Sequence, residues 1–289
     1  MISFLRRFYL LTQNHSWLYP LYLLVRLPII TPRLISNEGF GGAFQWLHHR
    51  FAFLLANRKQ YGQPAFYRQP IPEFRSRLGF KLLRPIEYII YDEIFLDRCY
   101  AFRALADLAG KGPILVVDFG THHGMFLDFM RVLNPNMEAY GAEMNPEAFE
   151  AAQQRFTGHD AIHLSNVAIG GTARTARVSR VSVSIEQSLY ADGGKDHFEV
   201  EVILPVEFLR RWKLAGKEIA VLKMDIEGAE REVFANPDSI HSVLEATRSL
   251  IIEIHSENDV GMIAGKLNAS GFSLAERRGI NFLFRREKG

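Results

Sequence analysis

The stretch VVDFGTHHGMF, residues 116–126, decides how this chain reads. An apolar run, ILVVDF (114–119), closes on the acid Asp118 and passes into two glycines, Gly120 and Gly124, with Thr121, His122 and His123 between them. The run has the length and continuous apolarity of a strand buried on both faces, and MFLDFMRVL after it has helical periodicity. In an open parallel sheet, such a strand-to-helix turn lies where ligands bind. A dinucleotide fingerprint needs Gly-x-Gly-x-x-Gly, and the place of its middle glycine is taken by His122, so pyrophosphate is disfavoured. An Asp-x-Gly-x-x-x-Gly turn suits a cofactor without phosphate, whose positive amino-acid end the acid balances and whose close approach the glycines admit. S-adenosylmethionine is such a cofactor.

Outward from that turn, apolar runs alternate with helical patterns. EAYGAEM (138–144) and AIHLSNVAI (161–169) read as strands on either side of a helix, PEAFEAAQQRF, that opens on Pro146. ARTARVSRVSVSI (173–185) and HFEVEVILP (197–205) alternate apolar and polar residues, as antiparallel strands do, around a turn ADGGKD at 191–196. The first rhythm then resumes with IAVLKMDI (219–226), a helix from GAEREVF, RSLIIEIH (248–255) and a helix over 258–270. FSLAERR and INFLFRR close the chain as a hairpin around Gly279. The pattern predicts an α/β domain over 97–289: a Rossmann-like, mostly parallel seven-stranded sheet ending in an antiparallel hairpin. Residues 1–96 read as a helical or irregular extension, interrupted by Pro20, Pro28, Pro32, GFGG at 39–42, Pro64, Pro70 and Pro72, with no strand periodicity. An approach helix, YIIYDEIFLDRCYAFRALADLAG (88–110), leads into the main domain.

Asp118, Glu143, Asn166, Asp225 and Glu253 all fall at or just past the end of a predicted strand, the edge of the sheet where chemistry is done. Glu143, nineteen residues after Gly124, suits a carboxylate that accepts both hydroxyl protons of a ribose. Nicotinamide enzymes place an acid there too, so the turn and not Glu143 discriminates.

DFGTHHGMF, YGAEMNPEAF, NVAIGG, VLKMDIEGAEREVF and LIIEIH, in that order and spacing, resemble the FkbM family of S-adenosylmethionine-dependent methyltransferases over roughly residues 90–289. The most specific piece is LKMDIEGAE. The family commonly carries Ala-Asn where this chain has Thr121 and His122, and TLDDLL where it reads ILPVEFL. The resemblance implies the class I methyltransferase fold and methylation of hydroxyls, often on sugars of glycolipids, polysaccharides or secondary metabolites. Together with strand-end position it assigns Asp118, Gly120, Thr121, Gly124, Glu143, Asn166 and Asp225 to the cofactor, with Asn166 near the adenine. An alcohol acceptor must lose a proton, so a base is required. Asp225 is the first choice for that base or its orienting partner, and His255 is a second. Glu227 is either catalytic or bonded to backbone amides at the start of the next helix. His122 and His123 either touch the acceptor or pack. Asp225, Glu253 and His255 are also oxygen and nitrogen donors of the kind that hold a divalent cation, although no His-x-x-x-His or Cys spacing requires one.

Composition narrows the partners. One cysteine, Cys99, excludes an internal disulfide framework and fits a reducing, cytoplasmic setting. The net charge of +2 conceals an asymmetry: residues 1–90 carry twelve Lys and Arg against three acids, and 17 of the 35 aromatic residues. Basic and aromatic together form a docking composition for an anionic surface, so the extension is expected to act as a lid, or as a peripheral contact with membrane or a lipid-linked acceptor. FYLLTQNHSWLYPLYLLV (8–25) is too polar and too broken by Pro20 to span a bilayer. Two rival readings stand beside the O-methyltransferase: a nucleic-acid methyltransferase, which would want an Asn/Asp-Pro-Pro-aromatic turn where DIEG stands, and a cofactor-binding scaffold without turnover.

Overall fold

The computed structural model describes residues 19–56, 73–179 and 197–286, and the chain divides into two compact units, Met1–Cys99 and Tyr100–Gly289. In the first, a helical segment α1 (Tyr19–Ala56) contains Pro28 and Pro32 and breaks at Gly39, whose φ of 71° and ψ of 176° no helix allows. Two short strands follow, β1 (Phe74–Arg75) and β2 (Lys81–Leu82), paired antiparallel. The sequence reading predicted no strand here, because two residues are too few to show a period of two. Trp46, Phe74 and Tyr91 are fully buried and form the core of the unit.

Helix α2 (Pro85–Tyr91) runs into a π-turn, Asp92–Leu96, and stops at Arg98 with φ of 59°. The expected approach helix over 88–110 is therefore broken, and only a 3₁₀ segment, Arg103–Leu108, is helical beyond it. The cause is electrostatic. Arg26 of α1 is 3% exposed and draws in Asp92 at 3.3 Å and Asp97 at 2.7 Å, so the chain winds around a buried guanidinium at the point where a straight helix would have carried it away.

The second unit is built on strands β3 (Ile114–Phe119), β4 (Met137–Ala142) and β5 (Ile162–Ser165), alternating with helices α3 (Met125–Leu133) and α4 (Pro146–Arg155). Asn145 caps α4 by accepting from the amides of Glu147 and Ala148. After β5 the chain enters a separate sheet of β6 (Ala168–Ile169), β7 (Arg174–Ser179) and β8 (His197–Ile203), with β7 and β8 antiparallel as their alternation predicts. AIHLSNVAI is thus two strands in two sheets, parted at Asn166. The predicted turn at 191–196 lies outside the described residues.

Helix α5 (Pro205–Arg211) leads back to the main sheet, which continues with β9 (Ile219–Met224), α6 (Glu230–Ala235), α7 (Pro237–Ala246), β10 (Thr247–Glu253), α8 (Glu257–Ala269), β11 (Phe272–Arg278) and β12 (Asn281–Arg286). Helices α5 and α7 were not anticipated, being short and each starting at a proline. The sheet order is β11-β12-β10-β9-β3-β4-β5, parallel except for β11 and β12. This is the Rossmann-like, mostly parallel seven-stranded sheet with a terminal antiparallel hairpin that the sequence pattern predicts. The chain runs outward one way from β3 and the other way from β9, so the order reverses between these two strands. Their register sets Asp118 beside Lys223 and Phe119 beside Met224. Val117, Phe119, Leu222, Met224, Leu250 and Ile252 are wholly buried on either side of that seam and hold it shut. Among the described residues no helix is long and apolar enough to cross a membrane.

Candidate active site

The turn after β3 is shaped by the protein's own packing. Gly120 has φ of 84°, and a Cβ there would lie 1.7 Å from the backbone oxygen of Asp225; at Gly124, with φ of 82°, it would lie 2.4 Å from the Phe156 ring. Only glycine fits either place. The residues between them, which depart from the commoner Ala-Asn, are working parts of the turn. The Thr121 hydroxyl donates to the Asp118 carbonyl at 3.0 Å, and the amides of Gly120 and Thr121 both reach the Ala142 carbonyl at 3.0 Å. His122 takes a left-handed φ of 50°, which costs about 1 kcal/mol and aims its N–H at Glu143 Oε2, 2.6 Å away. The rings of His122 and His123 stack at 4.5 Å. Arg155 closes the arrangement from α4, donating to the His123 carbonyl at 2.7 Å while paired with buried Asp128 at 3.0 Å.

Glu143, the residue after β4, is buried and receives a second amide from Asn145 at 2.7 Å. Burial pushes its carboxyl up to about 7, against the two amides that favour its charge. Asn166, the residue after β5, donates to the carbonyls of Glu143 at 2.8 Å and Met144 at 3.1 Å. Its amide thus secures the loop that carries Glu143.

Lys223 is a site residue that strand-end position does not pick out, because it lies within β9. Its ammonium is buried at the seam, 3.3 Å from Asp118, 3.3 Å from Asp225 and 3.0 Å from the Gly120 carbonyl, with the rings of Tyr100 and Phe126 at 5.9 and 5.7 Å. Asp118 is completely buried, and desolvation raises its pKa in spite of the lysine. The cation that faces Asp118 is therefore Lys223, rather than a group arriving from outside. A lysine inside an otherwise apolar strand was the available signal, since lysine is almost never buried unless paired.

Beyond β9 and β10 the remaining predicted residues converge on one imidazole. His255 Nε2 lies 3.1 Å from Glu227, 3.6 Å from Glu253 and 3.7 Å from Asp225, and Nδ1 lies 3.2 Å from Glu230. Burial opposes charge on the ring, but hydrogen bonds to Glu227 and Glu230 and the neighbouring carboxylates raise its pKa to about 11, so it is held as imidazolium. Burial likewise raises Glu227, against its bond to His255. The helix-capping role open to Glu227 belongs to Glu230, which accepts from the amides of Ile226 at 3.0 Å and Gly228 at 2.9 Å. Glu227, left-handed at φ of 53°, is turned to the histidine. Asp225, Glu253 and His255 each offer a donor atom, all within 4.8 Å of one another.

With this geometry in view, residues 118–274 match the profile of the methyltransferase FkbM domain. The methyltransferase sdnD of Sordaria araneosa is 25% identical, across 70% of this chain and 89% of its own length. Methyltransferase 1 of Beauveria bassiana (strain ARSEF 2860) is 24% identical, across 65% and 82%. Among solved structures, the precorrin-6y C5,15-methyltransferase of Geobacter metallireducens GS-15 matches at 9% identity and a TM-score of 0.40, over 64% of this chain and 86% of that one.

Two outcomes follow from the buried charges. Lys223→Met leaves Asp118 buried without a counter-ion and is expected to lower the unfolding free energy by about 3–5 kcal/mol in chemical denaturation. Asp118→Asn in the same chain should restore about half of that, and a double-mutant cycle showing no coupling would sever the pair. For Glu143, the folded state keeps a proton that the unfolded chain releases from about 4.5 upward. Stability relative to Glu143→Gln should therefore fall by roughly 2–4 kcal/mol between pH 4.5 and 7 and level off above. Melting curves of both proteins across that range, without ligand, check the sign.

Proposed function

The chain belongs to the FkbM methyltransferase family, and on that premise we propose that it moves a methyl group from S-adenosylmethionine to a hydroxyl of a polyhydroxylated acceptor: a sugar, glycolipid, polysaccharide or secondary metabolite. The observation that carries the acceptor class is the acidic cradle around His255. Asp225, Glu227 and Glu253 remain 22%, 28% and 13% exposed at the strand ends, beside the turn that packs against Asp225. Carboxylates are acceptors only, so they suit the donor hydroxyls of a polyol, and their shared negative charge disfavours the phosphates of a nucleic acid.

The donor side fits the turn. Asp118 is buried against the Lys223 ammonium beneath the turn, and Glu143 is braced by two amides at the end of β4. We assign Gly120–Gly124, Glu143 and the Asn166 loop to holding the donor, with Asp118 acting through Lys223. S-adenosylmethionine, when bound, supplies a methyl group on a sulfonium sulfur. Asp225 stands between the donor turn and the cradle, and it takes the role of accepting the hydroxyl proton. His255, as imidazolium, holds Asp225, Glu227 and Glu253 in place against their mutual repulsion, which makes it an orienting cation instead of a base. Asp225, Glu253 and His255 offer oxygen and nitrogen donors within 4.8 Å of one another, and a divalent ion there would have to displace the His255 proton, whereas proton acceptance by Asp225 needs no metal.

Incubation with isotopically labelled methyl donor and separate pools of glycans, polyhydroxylated metabolites, RNA and DNA tests this reading; label in nucleic acid alone overturns it. With an acceptor in hand, Asp225→Asn should lower kcat about 10²–10⁴-fold, and Glu227→Gln far less. Transfer should persist in EDTA. Activity lost to the chelator and returned by magnesium would reinstate the metal.

A further inference from the structure

Two large apolar side chains in the N-terminal unit face solvent almost entirely. Phe40 is 80% exposed and Phe44 is 72% exposed, well above the other exposed large hydrophobics among the described residues, Val132 at 46% and Leu274 at 51%. They sit one helical turn apart on the part of α1 that follows the break at Gly39, and the exposed His48 extends the row, its ring stacked on Phe44 at 6.4 Å. The opposite face of the same helix is accounted for, with Ala43 and Trp46 buried in the core of the unit. Glu38, just before the break, is locked by Ser76, Tyr91 and the amide of Arg77. Phe40 and Phe44 are thus held out on a helix that is fixed from behind.

The charge around them is mostly positive. Residues 39–48, GFGGAFQWLH, contain no charged side chain. The exposed Arg77 guanidinium lies 3.8 Å from where a side chain at Gly39 would begin, and the β1–β2 hairpin exposes Arg75 and Lys81, both of which pair with Glu73. Over residues 1–99 there are thirteen Lys and Arg against six Asp and Glu. We propose that this face docks on a bilayer surface carrying anionic lipids: the rings of Phe40 and Phe44 enter the boundary between headgroups and acyl chains, and Arg77 beside them meets the lipid phosphates. An uncharged, exposed aromatic row with a cation beside it is the pattern of an interfacial helix. A single-stranded nucleic acid would want cations along the track between the rings, and a second copy would bring an equally positive unit against this one. The inference does not depend on the methyl-transfer reading; if both hold, the acceptor is met at a membrane.

Sedimentation of the full chain with vesicles tests it, comparing phosphatidylcholine alone with phosphatidylcholine containing phosphatidylglycerol, at low salt. The chain should partition onto the anionic vesicles and only weakly onto the neutral ones. Phe40→Ser with Phe44→Ser should weaken that partition about tenfold or more, and Arg77→Ser should reduce the preference for anionic lipid. Both positions are solvent-facing, so melting curves of the variants should match the parent and exclude misfolding. No vesicle binding, equal binding to both vesicle types, or unchanged binding by the double variant overturns the proposal. So does capture of single-stranded RNA, lost in the double variant, in place of vesicle binding.

Discussion

The second unit depends on a buried lysine. Lys223 lies at the reversal point of the sheet, where β3 and β9 run side by side, and its ammonium meets one carboxylate from each strand end and the first carbonyl of the turn between them. Burying an ammonium costs several kcal/mol, and the attraction of its partners offsets that only when geometry is tight. The pairing is therefore better understood as a registration device than as a source of stability. It sets the depth of the β3 turn relative to the β9 turn, and Gly120, with no room for a Cβ beside Asp225, makes the contact close.

The same logic of charge opposing charge recurs around His255, with the signs exchanged. Here one imidazolium is surrounded by four carboxylates, and the protein spends unusual backbone to assemble them. Glu227 is left-handed, Gly228 follows at φ of 99°, and Glu230 bonds the amides that this tight turn leaves unpaired. Such local strain persists where surrounding structure over-determines it, and it clusters where chemistry is done. Asp225, Glu227 and Glu253 keep some exposure to solvent, while Glu230, the most buried of the four, ties the turn together.

Sequence and structure part company where short-range pattern and long-range pairing disagree. A continuous helix over 88–110 satisfies local periodicity, yet Arg26, more than sixty residues away, pulls Asp92 and Asp97 onto itself and the helix fails. AIHLSNVAI reads as one strand because nothing local marks Asn166 as the point where the backbone leaves one sheet for another. At the site, the residue types were legible and several partners were not. Thr121 and His122 are deviations in the sequence and structural supports in the fold. Glu227 and Glu230 are three apart, and only the turn shows which of them caps.

Taken alone, the sequence determined the main-sheet strands of the second unit and most of the helices between them, the terminal hairpin, and the placement of Asp118, Glu143, Asn166, Asp225 and Glu253 at strand ends. Apolar run length and periodicity encode those features residue by residue. Only the tertiary structure decided which charges meet. Lys223 finds Asp118 through the parallel register of two strands a hundred residues apart, and His255 finds its four acids through a turn whose handedness no local pattern specifies. Electrostatic pairing is a property of distances across the fold, and those distances exist only once the apolar core has closed.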